Sequence, residues 1–271
     1  MFKRLAAYLE TPVELKPRLP FPYVDLYNWA PQDGRVNFGD HLSEIIVRQL
    51  LALRGLSLDQ EVKKSARLLA IGSILQYSTE GDHIWGTGWN GKVPESMFTA
   101  KSLHIHAVRG PLTAEFLAQR GFVVPQVYGD PALLMPYLFK ENFAVNPRRD
   151  YVFVPNLHDE SILPPGMPHV ISPLQGWNNV ITQLLEAKLV LASSLHGLII
   201  AEAYGIPARY VRLTQTEDPF KYKDYYLGTG RSESELQFAS SVAEGLEMGG
   251  MPGLRFNHQP LLDAFPLHLW D

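Results

Sequence analysis

The segment "LVLASSLHGLIIAEAYGIPARYVRL", residues 189–213, restricts the fold more than any other. A short apolar run breaks at two serines, and a helix-length apolar stretch follows. Gly205 and Pro207 stop that stretch, and a second β-type run begins. Two strands separated by one helix cannot pair as a hairpin. They lie parallel, joined by a right-handed crossover, in a sheet covered on both faces.

The same alternation recurs along the chain. β-type runs occur in "ARLLAIGSIL", "HIWGTGW", "SLHIHAVRG", "VPQVYGDPALLM" and "YVFVPN". Helical patterns occur in "DHLSEIIVRQLLALRG", "GPLTAEFLAQRG" and "GWNNVITQLLEAK". In the first of these, Leu42, Ile45, Ile46, Gln49, Leu50 and Leu53 share helical spacing, and Gly55 ends the pattern. The polar stretch "FKENFAVNPRRD" separates two such series. The expected class is α/β, with two Rossmann-like domains, 1–145 and 150–271, and a cleft between them. The tail "QPLLDAFPLHLWD" is expected to pack back onto the body. Ligands of open parallel sheets bind beyond the carboxyl ends of the strands, so site residues are sought there.

Composition removes several function classes. A net charge of -4 without a Lys/Arg cluster argues against nucleic acid as a partner. The absence of cysteine removes disulfides, thiolate metal sites and cysteine nucleophiles. The start "MFKRLAAYLE" has no apolar run long enough for a signal peptide or a membrane span. Its Phe2, Leu5, Ala6 and Leu9 share one helical face, which packs on the protein in the favoured reading and touches a membrane surface in the other. A soluble cytoplasmic protein is expected.

Six motifs fall where strands end. "GTGWNG" fits the dinucleotide fingerprint formally, but Pro94 follows and no helix opens, so the glycines read as a turn that lets backbone approach a ligand or another loop. His104 and His106 alternate along a strand and face one side without further ligands in register, so they read as a half-polar strand face, and with no acidic pair of D-x-D type no required metal is expected. "NFGDHLS" places Asn37 and Asp40 in the turn before a helix, where Asp40 caps it or activates a sugar hydroxyl. Arg109 in "AVRGPLT" stands before a helix start, a position suited to an anion. "EDPFKYKDYYLGTGR" reads as a loop in which Lys221, Lys223 and Arg231 supply positive charge. Its Tyr222, Tyr225 and Tyr226 offer faces for a sugar. His196 lies in the first turn of its helix, where a cation opposes the dipole. A bound phosphate or carboxylate reverses that penalty, favours the protonated ring and makes it a general acid. Ser193 or Ser194 caps the helix. "SSLHG" lacks the G-x-S-x-G elbow of Ser-His hydrolases.

The ordered set "NFGDHLS", "IWGTGWNGKVP", "AVRGPLT", "VYGDPALL", "SSLHGLIIAEAYGIPA" and "DPFKYKDYYLGTGR" resembles the polysaccharide pyruvyl transferase family, above all its xanthan-type ketal-pyruvate transferases. The resemblance implies a GT-B-like fold, with the acceptor on the N-terminal side and the donor on the C-terminal side. It implies phosphoenolpyruvate as donor substrate, no separate cofactor, and a lipid-linked oligosaccharide as acceptor. Two hydroxyls of a terminal sugar would carry the pyruvate ketal. Work on a lipid-linked acceptor would bring peripheral contact with the cytoplasmic face of the inner membrane. It further implies donor binding by Arg109 and His196 and by Lys221 or Lys223. Several members carry arginine where this chain has Ser194, so one donor contact must come from elsewhere, with Lys221, Lys223 and Arg231 as candidates. Two other readings stay open at this point: a nucleotide-sugar glycosyltransferase and a non-catalytic carbohydrate-binding protein.

Overall fold

The computed structural model describes residues 19–31, 33–251 and 253–271. The helical face of Phe2, Leu5, Ala6 and Leu9 lies outside the described residues. The first half holds strands β1 (Val24–Tyr27), β2 (Ala66–Leu69), β3 (Asp82–Trp85) and β4 (Leu103–Ala107). Helix α1 (Phe38–Ala52) follows β1, α2 (Pro111–Ala118) follows β4, and α3 (Met135–Leu138) closes the half. The second half holds β5 (Val152–Val154), α4 (Trp177–Leu185), β6 (Val190–Ala192), α5 (Leu195–Ala203), β7 (Ala208–Val211) and α6 (Phe220–Gly228). It continues with β8 (Phe238–Ala239), α7 (Val242–Met248) and α8 (Gln259–Asp263). The strands form two four-stranded parallel sheets, β1-β2-β3-β4 and β5-β6-β7-β8. The class is therefore α/β.

Sheet order decides where each half can bind a ligand. In the second half Phe153 of β5 also bridges Val170, on the edge away from β6. The chain thus leaves β5, visits one edge, and returns to the other side as β6. That reversal opens a crevice at the carboxyl ends of β5 and β6. Strand order in the first half runs in sequence with no reversal. Residues 124–128, expected to be a strand, make only the single bridge of Tyr128 to Val108.

Helix α1 buries Phe38, Leu42, Ile46, Val47, Leu50 and Leu51, while Leu53 points outward at 61% exposure. The inward stripe begins one turn earlier than the apolar spacing placed it. One hydrophobic cluster runs from Val24 to Trp270 and takes in residues of both halves. The tail returns to the first half, where Trp85 Nε1 donates to the Leu261 carbonyl at 2.9 Å and the Trp85 ring packs on Phe265. His104 and His106 do share a face. Both stack with His83, while His106 and His83 meet His268 of the tail, and burial with the neighbouring imidazoles pushes His83 and His106 down to about 4. No group of three or more His, Asp or Glu side chains among the described residues is set to hold a metal ion. No helix among them is long and apolar enough to cross a membrane.

Arg109 and Asp224 join the halves. Both are fully buried. Arg109 donates through Nε to Asp224 Oδ2 at 3.0 Å, through Nη1 to Ser73 Oγ at 2.6 Å and through Nη2 to the Trp89 carbonyl at 2.6 Å. Asp224 also accepts from the Thr113 amide and hydroxyl. The approach needs Gly110 and Gly228, because a Cβ at either would lie 1.9 or 2.1 Å from a backbone oxygen of the facing segment. Removing one partner of a buried ion pair leaves an uncompensated charge. Asp224→Ala is expected to cost about 3–5 kcal/mol in urea unfolding.

Candidate active site

A cleft opens at the reversal of the second sheet, walled by both halves. Its lining includes Trp29, Asn37, Asp40, Ser73, Tyr77, Asn90 and Lys92 from the first half. Asn156, His158, Ser194, His196 and Lys221 come from the second. Two helices begin here. Asn37 caps α1 by accepting from the Gly39 amide at 3.0 Å, and Ser194 caps α5 by accepting from the Gly197 amide at 3.3 Å. Ser193 serves elsewhere: its Oγ accepts from the Asn156 amide and its carbonyl from the Tyr222 hydroxyl. The amides of Leu195 and His196, first in α5, donate to no protein group among the described residues. Free first-turn amides and two converging helix N-termini favour an anion.

His196 packs against α1 so closely that a Cβ on Gly39 would lie 2.3 Å from its Nδ1. The glycine of "NFGDH" is thus the space that the imidazole occupies. Lys92 from the first half and Lys221 from α6 both pair with Glu217, the latter at 2.8 Å. Burial pushes the Glu217 carboxyl up, but the two ammonium groups outweigh it and hold it at about 2. Glu217 is therefore ionised at neutral pH and balances one lysine of the two. Asp40 behaves oppositely. Burial, aided by the nearby Asp130 carboxylate and opposed by His196 and Lys221, raises it to about 6.

Of the residues expected from the sequence, Asn37, Asp40, Ser194, His196 and Lys221 meet in this cleft. Four do not line it. Arg109 spends its guanidinium on Asp224, Trp89 and Ser73, and touches the cleft wall only through Ser73. Lys223 pairs with Glu233 on the outside. Arg231 grips both oxygens of buried Glu202, which also accepts from the Tyr225 hydroxyl at 2.6 Å. The loop expected at 217–231 contains helix α6, and that helix turns Tyr222, Tyr225 and Tyr226 into the core, where no sugar reaches them. Sequence reasoning missed Lys92, Asn156, Glu217 and Trp29. Asn156 was findable, since it follows the strand next to the reversal. Lys92 and Glu217 carry no local signal, because their pairing joins segments 125 residues apart. A larger hollow of about 800 Å³ beyond the carboxyl ends of α1 and α5 is lined mostly by apolar groups, and its Lys140 and Glu141 pair with each other.

The family model of the polysaccharide pyruvyl transferases matches residues 67–213, more than half of the chain. The chain belongs to the polysaccharide pyruvyl transferase family. The part matched by the family model holds Lys92, Asn156, Ser194 and His196, whereas Asn37, Asp40, Glu217 and Lys221 lie outside it. Among curated relatives, the succinoglycan biosynthesis protein ExoV of Rhizobium meliloti (strain 1021) is 30% identical over 212 residues, 73% of this chain and 63% of that protein. The uncharacterized protein L143 of Acanthamoeba polyphaga mimivirus is 26% identical over 203 residues, 70% of each chain. A functionally uncharacterized protein of Klebsiella pneumoniae aligns in structure with a TM-score of 0.47 at 10% identity, covering 76% of this chain and 87% of that one.

Two variants test this geometry. Gly39→Ala is expected to fold but to push the His196 ring aside, lowering any turnover at this site about 10²-fold. A shifted His196 ring resonance with an unchanged unfolding midpoint is the signature. For Asp40 the folded carboxyl lies above its unfolded range, so its stabilising protonated form is present at low pH and lost as pH rises through about 6. Asp40→Asn keeps a neutral group at that position. It is expected to melt above the parent at pH 7.5, the gap closing below pH 4, as calorimetry would read.

Proposed function

We propose that the protein transfers pyruvate from phosphoenolpyruvate to two hydroxyls of a terminal sugar on a lipid-linked exopolysaccharide repeat unit, releasing phosphate. The observation that carries this reading is the meeting of two helix N-termini, two lysines and His196 in one cleft. Phosphoenolpyruvate bears a carboxylate and a phosphate, and such a ligand needs several N–H and ammonium donors. Lys92 and Lys221 supply the charge that the family's arginine would bring at Ser194. Glu217 holds both lysines in place before the donor arrives. A pocket walled by both sheets fits the GT-B-like arrangement, with the donor on the second half and the acceptor on the first.

His196 delivers a proton to the methylene carbon, and C2 gains oxocarbenium character. The first hydroxyl attacks C2 and loses its proton to Asp40, whose raised carboxyl suits that exchange near neutrality. Phosphate leaves with its electron pair, the second hydroxyl closes the ketal, and its proton departs with the phosphate. The enol phosphate and the diol become a ketal and inorganic phosphate, with no oxidant or further co-reactant needed. No metal is assigned a part. The working site is the cytoplasmic side of the inner membrane, where a lipid-linked acceptor would be presented.

The test combines the protein with phosphoenolpyruvate and a synthetic glycoside. Phosphate release is expected, together with a mass gain on the sugar of pyruvic acid less one water. His196→Ala should lose about 10²- to 10⁴-fold in rate while remaining folded. Lys92→Ala and Lys221→Ala should each weaken donor binding roughly 10- to 100-fold, the equivalent of one charge-assisted hydrogen bond. Release of nucleoside diphosphate from a sugar nucleotide would make the protein a glycosyltransferase instead. Glycoside binding without turnover would make it a carbohydrate-binding protein.

A further inference from the structure

Asp130 is wholly buried at the start of a short turn, Pro131–Leu134. One carboxylate oxygen, Oδ1, caps that turn by accepting from the Ala132 amide at 2.9 Å. The other, Oδ2, has no hydrogen-bond partner. It lies 3.6 Å from His196 Nε2, which also has none. A buried carboxylate oxygen without a partner is costly, and so is a buried ring nitrogen. Two such atoms facing each other across a gap slightly longer than a hydrogen bond are a pair waiting for a proton.

We infer that Asp130 is a positioning residue: its free oxygen takes a hydrogen bond from His196 Nε2, steadies the protonated ring, and leaves Nδ1 as the nitrogen that exchanges its proton. The inference rests on His196 as the acid of the proposed transfer, but the pairing stands without it. The cap explains why Asp130 does not turn away, since its backbone and Oδ1 are fixed by the turn. The back wall of the ring is thus an anchored anion. On the other side Gly39 of α1 leaves space beside Nδ1 that a Cβ would fill, so Nδ1 is the nitrogen left open. Asp40 on α1 and Lys221 on α6 are the other charged groups acting on this cluster, with Lys92, Glu217 and His158 in the same cleft region. Asp130 differs from Asp40 in being fully enclosed and locked. It therefore acts through His196 and does not touch a bound substrate.

The experiment is a titration of the His196 ring by NMR in the full chain, with the resonance assigned by its loss in His196→Gln. Asp130→Asn retains an oxygen for the Ala132 amide and removes the charge. The midpoint of His196 is expected to fall by about one pH unit or more, because an opposite charge within 4–6 Å favours the protonated ring. Asp130→Ser, which also caps a turn, should give the same fall and serves if the asparagine variant does not fold. An unmoved His196 midpoint in a folded variant overturns the pairing. A kinetic readout is separate: kcat should fall with the KM for phosphoenolpyruvate held, and the His196 limb of the pH–rate profile should move to lower pH by the same amount. A moved midpoint in a protein that transfers no pyruvate supports the pairing and overturns the pyruvyl reading alone.

Discussion

A guanidinium and a carboxylate that never meet water hold the two halves of this protein together. Arg109 leaves the end of β4, Asp224 sits on α6, and neither side chain has any exposed surface. Each would be costly alone, so the halves separate only by stranding two charges. The backbone contact through Gly110 and Gly228 and the donation of the Phe38 amide to the Pro173 carbonyl reinforce the same seam. The cleft depends on it, because Lys92 and Asp40 belong to one half while Lys221 and His196 belong to the other. A small shift across the seam would undo both the Lys92–Glu217 contact and the fit of His196 against Gly39.

The electrostatics of the cleft follow from unequal burial and unequal company. Glu217 is enclosed by two ammonium groups and stays ionised, whereas burial, with the Asp130 carboxylate beside it, pushes Asp40 toward neutrality. Two carboxylates driven apart in this way can take different tasks, one holding cations and the other exchanging protons. The free α5 amides and the lysines leave the cleft suited to a small anion. Trp29 and Tyr77 supply the aromatic surface that the buried tyrosines of α6 cannot.

Much of the architecture was legible because its causes are local. Apolar runs alternating with helical spacing produce strands β2 to β7 and helices α1, α2, α4 and α5, and Gly205, with φ 74°, ends α5 where expected. His196, Asp40, Asn37, Ser194 and Lys221 share the cleft because each stands at a strand end or in the turn or helix just after one. The residues that do not line the cleft share a cause. Arg109, Tyr225 and Arg231 carry the chemistry of ligand contacts, but distant Asp224 and Glu202 claim them. A sequence shows that a side chain can bind an anion, and not that the protein has already provided one.

By itself the sequence determined the parallel α/β class, the ordered motifs of the family, and the unusual histidine in the first turn of a helix. Each of those rests on neighbours within a few residues, where periodicity and capping act. Tertiary structure alone decided which cations stay free, which carboxylates are raised or lowered, and that Asp130 stands behind His196. Those outcomes depend on burial and on pairings between segments far apart in the chain, which no local pattern encodes.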